Sequence, residues 1–292
     1  SLFKMKCPVD IESLYSDYID AKNEENFKER YEGRENYYHA SGAGSCSRKL
    51  YFETIERPDV PDNLNDNSKR LLRLGTIVHN DFENCLRTLQ EKKTIYKEKK
   101  KDESSDTIYS NTIDSSIIYN NTIYSKEKEI LYFQKESFDF YVEKEISLPD
   151  LNVRGFYDLV CVSDKDGAVY LIDFKTIGAY PWSRKFGYKH KDMNPPIHQE
   201  VQLATYGLYI QKEFGRLDGM YLYFYNKDNS KMKPVEVPLS MLKRAENFWR
   251  NVNEEHKKGL PPFREGVSPV QDWNCSYCRF VDHCKPPFFK KK

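Results

Sequence analysis

The chain has 292 residues, 39% of them hydrophobic, with a mean hydropathy of −0.79. It is long enough to bury a sizeable core, and no run is apolar over the roughly 18 residues a membrane span needs. Residues 1–10 carry no signal-peptide core, so a cytoplasmic protein of a microbe or a virus-infected cell is expected. With 46 basic against 45 acidic residues the formal charge is +1, which excludes global basicity as a route to nucleic acid and requires any such surface to be local.

Asp10 to about Glu32 reads as an amphipathic helix, with apolar positions at Ile11, Leu14, Tyr15, Tyr18 and Ile19. A Ser/Gly-rich turn, "SGAGSCSRKLYFE", runs into a short helix and carries Cys46. From Asn67 to about Leu89 helical periodicity returns through Leu71, Leu74, Val78, Phe82 and Cys85. Residues 107–126 then divide into the pentads TIYSN, TIDSS, IIYNN and TIYSK between Lys/Glu-rich runs. This composition predicts a disordered or weakly β-structured insertion.

Three strands are predicted next, "FDFYVEKEISL", "NVRGFYDLVCVS" and "AVYLIDFKT", the first two joined by a hairpin turn at Asp150–Asn152. A helix over "IHQEVQLATYGLYIQKEF", strands over "GMYLYFYNK" and "KPVEVPL", and a helix at about 240–258 follow. The order predicts an α/β sandwich with a mixed central sheet flanked by helices. Its parts are an N-terminal helical segment (1–66), a core (67–90 and 138–260), an insertion (91–137) and a Cys-rich tail (261–292).

Asp158 and Asp173 close two of these strands. If the strands are neighbours, both carboxylates converge at one end of the sheet as hard-oxygen ligands suited to Mg²⁺ or Mn²⁺. Lys175, two residues beyond Asp173, points to the same side of an extended strand and can orient a nucleophilic water or offset charge on a pentavalent phosphate. The plain alternative is a surface ion pair. His79 on its helix offers an imidazole ligand, or a satisfied polar residue. His198, Gln202 and Tyr206 share one helical face by i, i+4 spacing, which offers phosphate or water contacts beside the metal, with His198 as a DNA contact, or is a half-buried amphipathic face.

Four motifs stand in order: G-x-x-x-H (Gly75–His79), G-x-x-D (Gly155–Asp158), D-x-K (Asp173–Lys175) and Q-x-x-x-Y (Gln202–Tyr206). Together they closely resemble the RecB-type branch of the PD-(D/E)xK nucleases. The resemblance implies a restriction-endonuclease-like core in which His79, Asp158, Asp173 and the backbone carbonyl of Phe174 bind the catalytic metal. It makes Lys175 the catalytic lysine, with Gln202 and Tyr206 supporting the site or touching DNA. Two departures are a Tyr rather than Pro before Asp158, and Asp rather than Glu at the second acidic position.

Of the seven cysteines, Cys275, Cys278 and Cys284 form C-x2-C-x5-C, and Cys46 lies far upstream. An odd count argues against a disulfide framework, and four thiolates suit Zn²⁺ or a [4Fe–4S] cluster equally by spacing. Around RecB-type motifs the arrangement looks like the iron–sulphur nucleases: the CRISPR-associated Cas-four type, AddB-like subunits and exonuclease V. That resemblance implies a [4Fe–4S] cluster on these four cysteines, stapling the N-terminal segment to the tail. Cys7, Cys85 and Cys161 read as packing residues. "AYPWSRKFGYKHK" interleaves Tyr180, Trp182, Phe186 and Tyr188 with Arg184, Lys185, Lys189 and Lys191, a pattern that grips single strands or lines a solvated loop.

The expected activity is therefore a Mg²⁺/Mn²⁺-dependent deoxyribonuclease acting on single-stranded DNA ends, or an endonuclease or flap nuclease. A non-catalytic DNA-end module serving a helicase or the CRISPR integrase is the binding alternative, and a zinc-stabilised RNA-processing or scaffold protein a third. No oligomeric state is expected from the sequence.

Overall fold

The computed structural model describes residues 9–33, 36–61, 64–103, 137–187, 196–263 and 272–284. The pentad repeats, Tyr188, Lys189, Lys191 and Cys7 lie outside them. The chain opens with helix α1 (Ile11–Tyr31), capped by the Asp10 carboxylate on the Ser13 N–H at 3.0 Å. Of the five positions expected to face inward, only Ile19 is buried; Ile11, Leu14, Tyr15 and Tyr18 are exposed. The reason is the partner: among the described residues α1 packs mainly on a long helix, α3 (Asp66–Glu103), near its N-terminal end, through polar pairs such as Lys69–Asp20 and Arg70–Glu12 at 2.9 Å. Leu71 and Leu74 of α3 are likewise exposed. Between them lie a two-residue strand, β1 (Tyr38–His39), and a short helix, α2 (Ser47–Tyr51), which continues as a π-helical turn over Phe52–Glu56.

Helix α3 runs past the expected boundary at 90/91 as far as Glu103. Its outer half is anchored by Lys93, which is 2% exposed and stands 2.7 Å from both Asp139 and Asp164. A buried ammonium is tolerable only when paired in this way.

The sheet begins with β2 (Phe138–Leu148), β3 (Val153–Ser163) and β4 (Val169–Ile177). The turn expected at 150–152 is a 3-10 turn over Pro149–Leu151, closed by Asn152 in the left-handed region at φ 55°, which Asn tolerates better than most residues. Next come α4 (Ala179–Phe186), α5 (His198–Glu213), β5 (Gly219–Asn226), β6 (Met232–Val237) and α6 (Met241–His256). The described tail holds two short helices, α7 (Asp272–Ser276) and α8 (Val281–Cys284). Helix α4 is a correction: "AYPWSRKF" is not a loop.

The sheet is mixed. β2 runs antiparallel along the whole of β3, β4 is antiparallel to β3 and parallel to β5, and β6 closes the edge antiparallel to β5. β3 has one edge left after β2, and two strands share it. β1 pairs in parallel with Val153 and Arg154, whereas β4 pairs only with Leu159 to Val162. Between these two segments the backbone of residues 155–158 faces a cleft.

One sheet face packs on α5, with α6 behind it. On α6, Leu242, Ala245, Trp249, Val252 and His256 are buried, the i, i+3, i+4 stripe of a core-facing helix. Trp249 is fully buried and donates its indole N–H to Thr205 Oγ1 at 2.9 Å. Burying side chains such as Trp249, Phe224, Leu171, Leu203 and Ile210 stabilises the fold by about 1.5–3 kcal/mol each before entropy is subtracted. Along β4, Val169, Leu171 and Asp173 form one buried row, so the apolar row turns polar where the strand meets the cleft.

Candidate active site

The two strand-end carboxylates sit where β3 and β4 part. The last antiparallel pair is Leu159 opposite Ile172; the next residues, Asp158 and Asp173, are 7% and 2% exposed. Asp158 Oδ2 accepts from the Phe174 N–H at 2.7 Å, so one carboxylate is tied to the backbone of the other's strand. Opposite Asp158, the β2–β3 register passes from Val142–Leu159 to Lys144–Tyr157, with Glu143 between them in the left-handed region at φ 49°.

Helix α3 brings His79 to this fork. It can approach because residue 75 has no side chain: a Cβ there would stand 2.6 Å from Thr176 Oγ1. His79 Nε2 then lies 3.1 Å from Asp158 Oδ2 and 3.6 Å from Glu83 Oε1. Gly155 serves the other wall in the same manner, since a Cβ would lie 2.8 Å from Ala40 Cβ. From α5, Gln202 Oε1 accepts from Lys175 Nζ at 2.9 Å and Gln202 Nε2 donates to the Tyr206 hydroxyl at 3.1 Å. Lys175 Nζ is also 2.6 Å from Asp173 Oδ2. His79, Asp158, Asp173, Phe174, Lys175, Gln202 and Tyr206 line one cleft of about 240 Å³, together with His39, Ser41 and Arg154. A larger cavity of about 440 Å³, between Tyr38, Thr54–Arg57 and Asn152, holds none of the predicted site residues.

The electrostatics are those of two carboxylates forced together. Burial disfavours the imidazolium of His79, but the hydrogen bond and charge of Asp158, backed by Glu83 and Asp173, outweigh it and hold its pKa at about 9. For Asp158 burial also resists charge, yet His79, Lys175 and the Phe174 N–H together keep the carboxyl below its usual range. Asp173 is pushed up to about 7, first by burial and then by the charge of Asp158. Lys175 is buried, which works against its charge, but Asp173 and Asp158 keep it protonated. One carboxylate of a close pair holds its proton unless a cation intervenes.

Among the described residues, no three His, Cys, Asp or Glu side chains are placed so that they could hold a metal ion. The donor types nevertheless suit a hard divalent cation. His79 Nε2 and Asp173 Oδ2 are buried, and the partners they meet, Asp158 and Lys175, are charged side chains. The protein's own cations stand where a divalent ion would compete for the same oxygens.

The other predicted residues lie elsewhere. His198 starts α5 and is not part of the cleft lining; its pKa is lowered by burial and by Lys175, Lys185 and Lys49. Trp182 and Phe186 of α4 pack on each other at 4.6 Å and against the core. Lys185 Nζ lies 4.7 Å over the Phe224 ring, and Arg184 is in the last turn of α4. Cys46 precedes α2, while Cys278 and Cys284 pack beside Tyr51, Phe52 and Phe280. Cys275 is joined to Cys278 through a 3.2 Å backbone hydrogen bond. All four are half-buried thiols, and that of Cys278 is raised by burial and by its neighbours Cys46 and Cys284.

Three residues at the site were missed from the sequence. Glu83 is buried one helical turn beyond His79, and its i, i+4 spacing was a usable signal. His39 reaches the cleft through the pairing of β1 with β3, which nothing local announces, and Arg154 lies on β3 itself, four residues before Asp158.

No curated protein matches the sequence. Among solved structures the chain is similar to SSO0001, at 16% identity over 96% of this chain and 98% of that one, with a TM-score of 0.49. It is also similar to a "Putative exonuclease" from Eubacterium rectale, at 13% identity over 90% and 94% of the two chains, with a TM-score of 0.43. The family model of the PD-(D/E)XK nuclease superfamily matches residues 37–285, from just before β1 to just past Cys284, and the chain belongs to that superfamily.

Proposed function

We propose that the chain is a divalent-metal-dependent deoxyribonuclease of the RecB-type branch that hydrolyses phosphodiester bonds at single-stranded DNA ends. The observation that carries the reading is the fork of β3 and β4, where His79, Asp158, Asp173, Lys175 and the Gln202–Tyr206 pair meet in one cleft. His79, Asp158 and Asp173, with the carbonyl of Phe174, would hold Mg²⁺ or Mn²⁺. Such a cation, when bound, polarises the phosphate and makes water nucleophilic near neutral pH. Lys175 orients the attacking water and offsets the charge that builds on the phosphate oxygens. Gln202, fixed by Tyr206, aims the ammonium of Lys175. The test is cleavage of end-labelled single- and double-stranded DNA with Mg²⁺, Mn²⁺ or EDTA. Metal-dependent shortening from an end is expected. Internal cuts in circular single strands would make it an endonuclease or flap nuclease, and binding without cleavage would leave a DNA-end module for a helicase or the CRISPR integrase.

The same reading gives Cys46, Cys275, Cys278 and Cys284 a structural [4Fe–4S] cluster that ties α2 to the tail. It is supported by the packing of Cys278 and Cys284 against one aromatic cluster and by the nearness of Cys46 to Cys278. Protein purified without oxygen should be brown, hold about four irons per chain, and lose its colour on Cys278→Ser. Colourless protein with stoichiometric zinc would overturn it.

A further inference from the structure

The cleft has a second basic group besides the machinery at the fork. β1 pairs in parallel with the start of β3, setting His39 beside Arg154, and both line the cleft that holds Asp158, Asp173 and Lys175. Arg154 lies four residues before Asp158 on the same strand, roughly 13 Å along it at about 3.3 Å per residue. The residues between them, at the split edge of β3, border the same cavity: Gly155 and Phe156 are part of its lining. A strand laid along this edge passes Arg154 and the carboxylates in turn.

The other cations of the cleft are committed to protein carboxylates. Lys175 is held by Asp173 and Gln202, and His79 by Asp158 with Glu83 behind it. Arg154 is held more loosely, by an ion pair with Glu145 and no closer carboxylate contact among the described residues. Its guanidinium lies over the Tyr37 ring at 4.8 Å, and its Nε stands 3.8 Å from Glu145, beyond hydrogen-bond length. Stacking on an aromatic face fixes the plane of a guanidinium while its in-plane N–H fork stays able to take a phosphate in a bidentate manner.

We propose that Arg154 holds a backbone phosphate of the substrate strand a short way along from the one that is cut. The β1–β3 junction is thus a phosphate-positioning site that sets where along the strand the fork acts. This rests on the nuclease reading above. The contact is to the backbone and carries no base preference.

Arg154→Ala should raise KM for an end-labelled single-stranded oligonucleotide about 10- to 100-fold with a smaller change in kcat, the size expected for losing charged hydrogen bonds to a ligand. Binding in EDTA should weaken as well, with a slope of log Kd against log salt shallower by about 0.7, one phosphate contact on a single strand. Arg154→Lys should fail to restore KM, because a point charge neither stacks nor forks. Arg154→Gln keeps a polar, planar head in case the alanine variant misfolds, and melting curves for each variant confirm folding. Wild-type protein that binds but never cuts would refute the nuclease reading. Wild-type protein that cuts, with Arg154→Gln at the parent KM and salt slope, would refute the assignment of Arg154 alone.

Discussion

Asp173 and Lys175 make one contact of 2.6 Å yet should fail differently when removed. Asp173→Ala takes away a carboxylate proposed to hold the cation, so Mn²⁺ affinity and cleavage should fall together. Lys175→Ala removes a competing ammonium from the same oxygen. Cleavage should drop by about 10²–10⁴-fold, whereas Mn²⁺ affinity, read by calorimetry, should hold or rise. Near-normal turnover in Lys175→Ala would deny this lysine its role. The same residues predict a pH response. His79 is raised from 6.5 to about 9 in the fold, so its stabilising contribution is complete below pH 6.5 and is lost as pH rises through 9. Asp173 is raised from 3.8 to about 7, so its protonated form favours the fold and that contribution is lost as pH rises through 7. Both act in one direction. In EDTA the melting temperature should fall between pH 6 and 9, and Mn²⁺ should stabilise more at the upper end. A metal-induced shift that is the same at both ends would contradict this account of the site.

The approach of α3 to β4 is the element-scale feature most exposed to test. Gly75→Ala gains helix propensity, about 1 kcal/mol, but its Cβ would meet Thr176 Oγ1 at 2.6 Å and lever His79 away from Asp158. Cleavage should fall about tenfold or more with little loss of melting temperature, and Thr176→Ala in the same chain should restore it, a coupling that a double-mutant cycle measures. Activity unchanged in Gly75→Ala would mean that α3 has slack. At this scale the strands were plain in the sequence, because β2, β3 and β4 alternate or run apolar between turn residues. The helix α4 was not. Its N-terminal N–H, on Ala179, is taken by the Asp228 carboxylate, a cap supplied from a distant turn, and its aromatic–basic interleaving imitates a binding loop. The inward face given to α1 was equally illegible: periodicity marks an apolar stripe but does not say whether anything covers it. Asp158, Asp173, Lys175, Gln202 and Tyr206 could be read from ordered motifs. The part of the cleft wall made by His39 depends on a two-residue strand that leaves no pattern of its own.

At the scale of the whole molecule, the buried ammonium of Lys93 between Asp139 and Asp164 pins α3 to the start of β2 and the end of β3. The pentad-bearing segment leaves from α3 and returns to β2, so this clamp fastens both of its ends. Lys93→Met should therefore destabilise the protein by about 1–3 kcal/mol, since two half-exposed carboxylates lose a charged partner while Lys97 stays near both. Replacing residues 104–136 with a Gly/Ser linker should leave melting temperature and cleavage of linear single strands nearly unchanged. From Lys93 the helix continues for roughly 15 Å to Glu103, a gap that a linker of about eight residues bridges. Insoluble protein would place the repeats in the core, and new activity on circular strands would show that they restrict entry to the cleft. For a flexible linker the closure entropy grows only as the logarithm of length, so a roughly fourfold change in length is worth about 1 kcal/mol. Lys93 thereby holds together the two points of the chain between which the repeats are inserted, and a reporter domain spliced into that position should leave the fork intact.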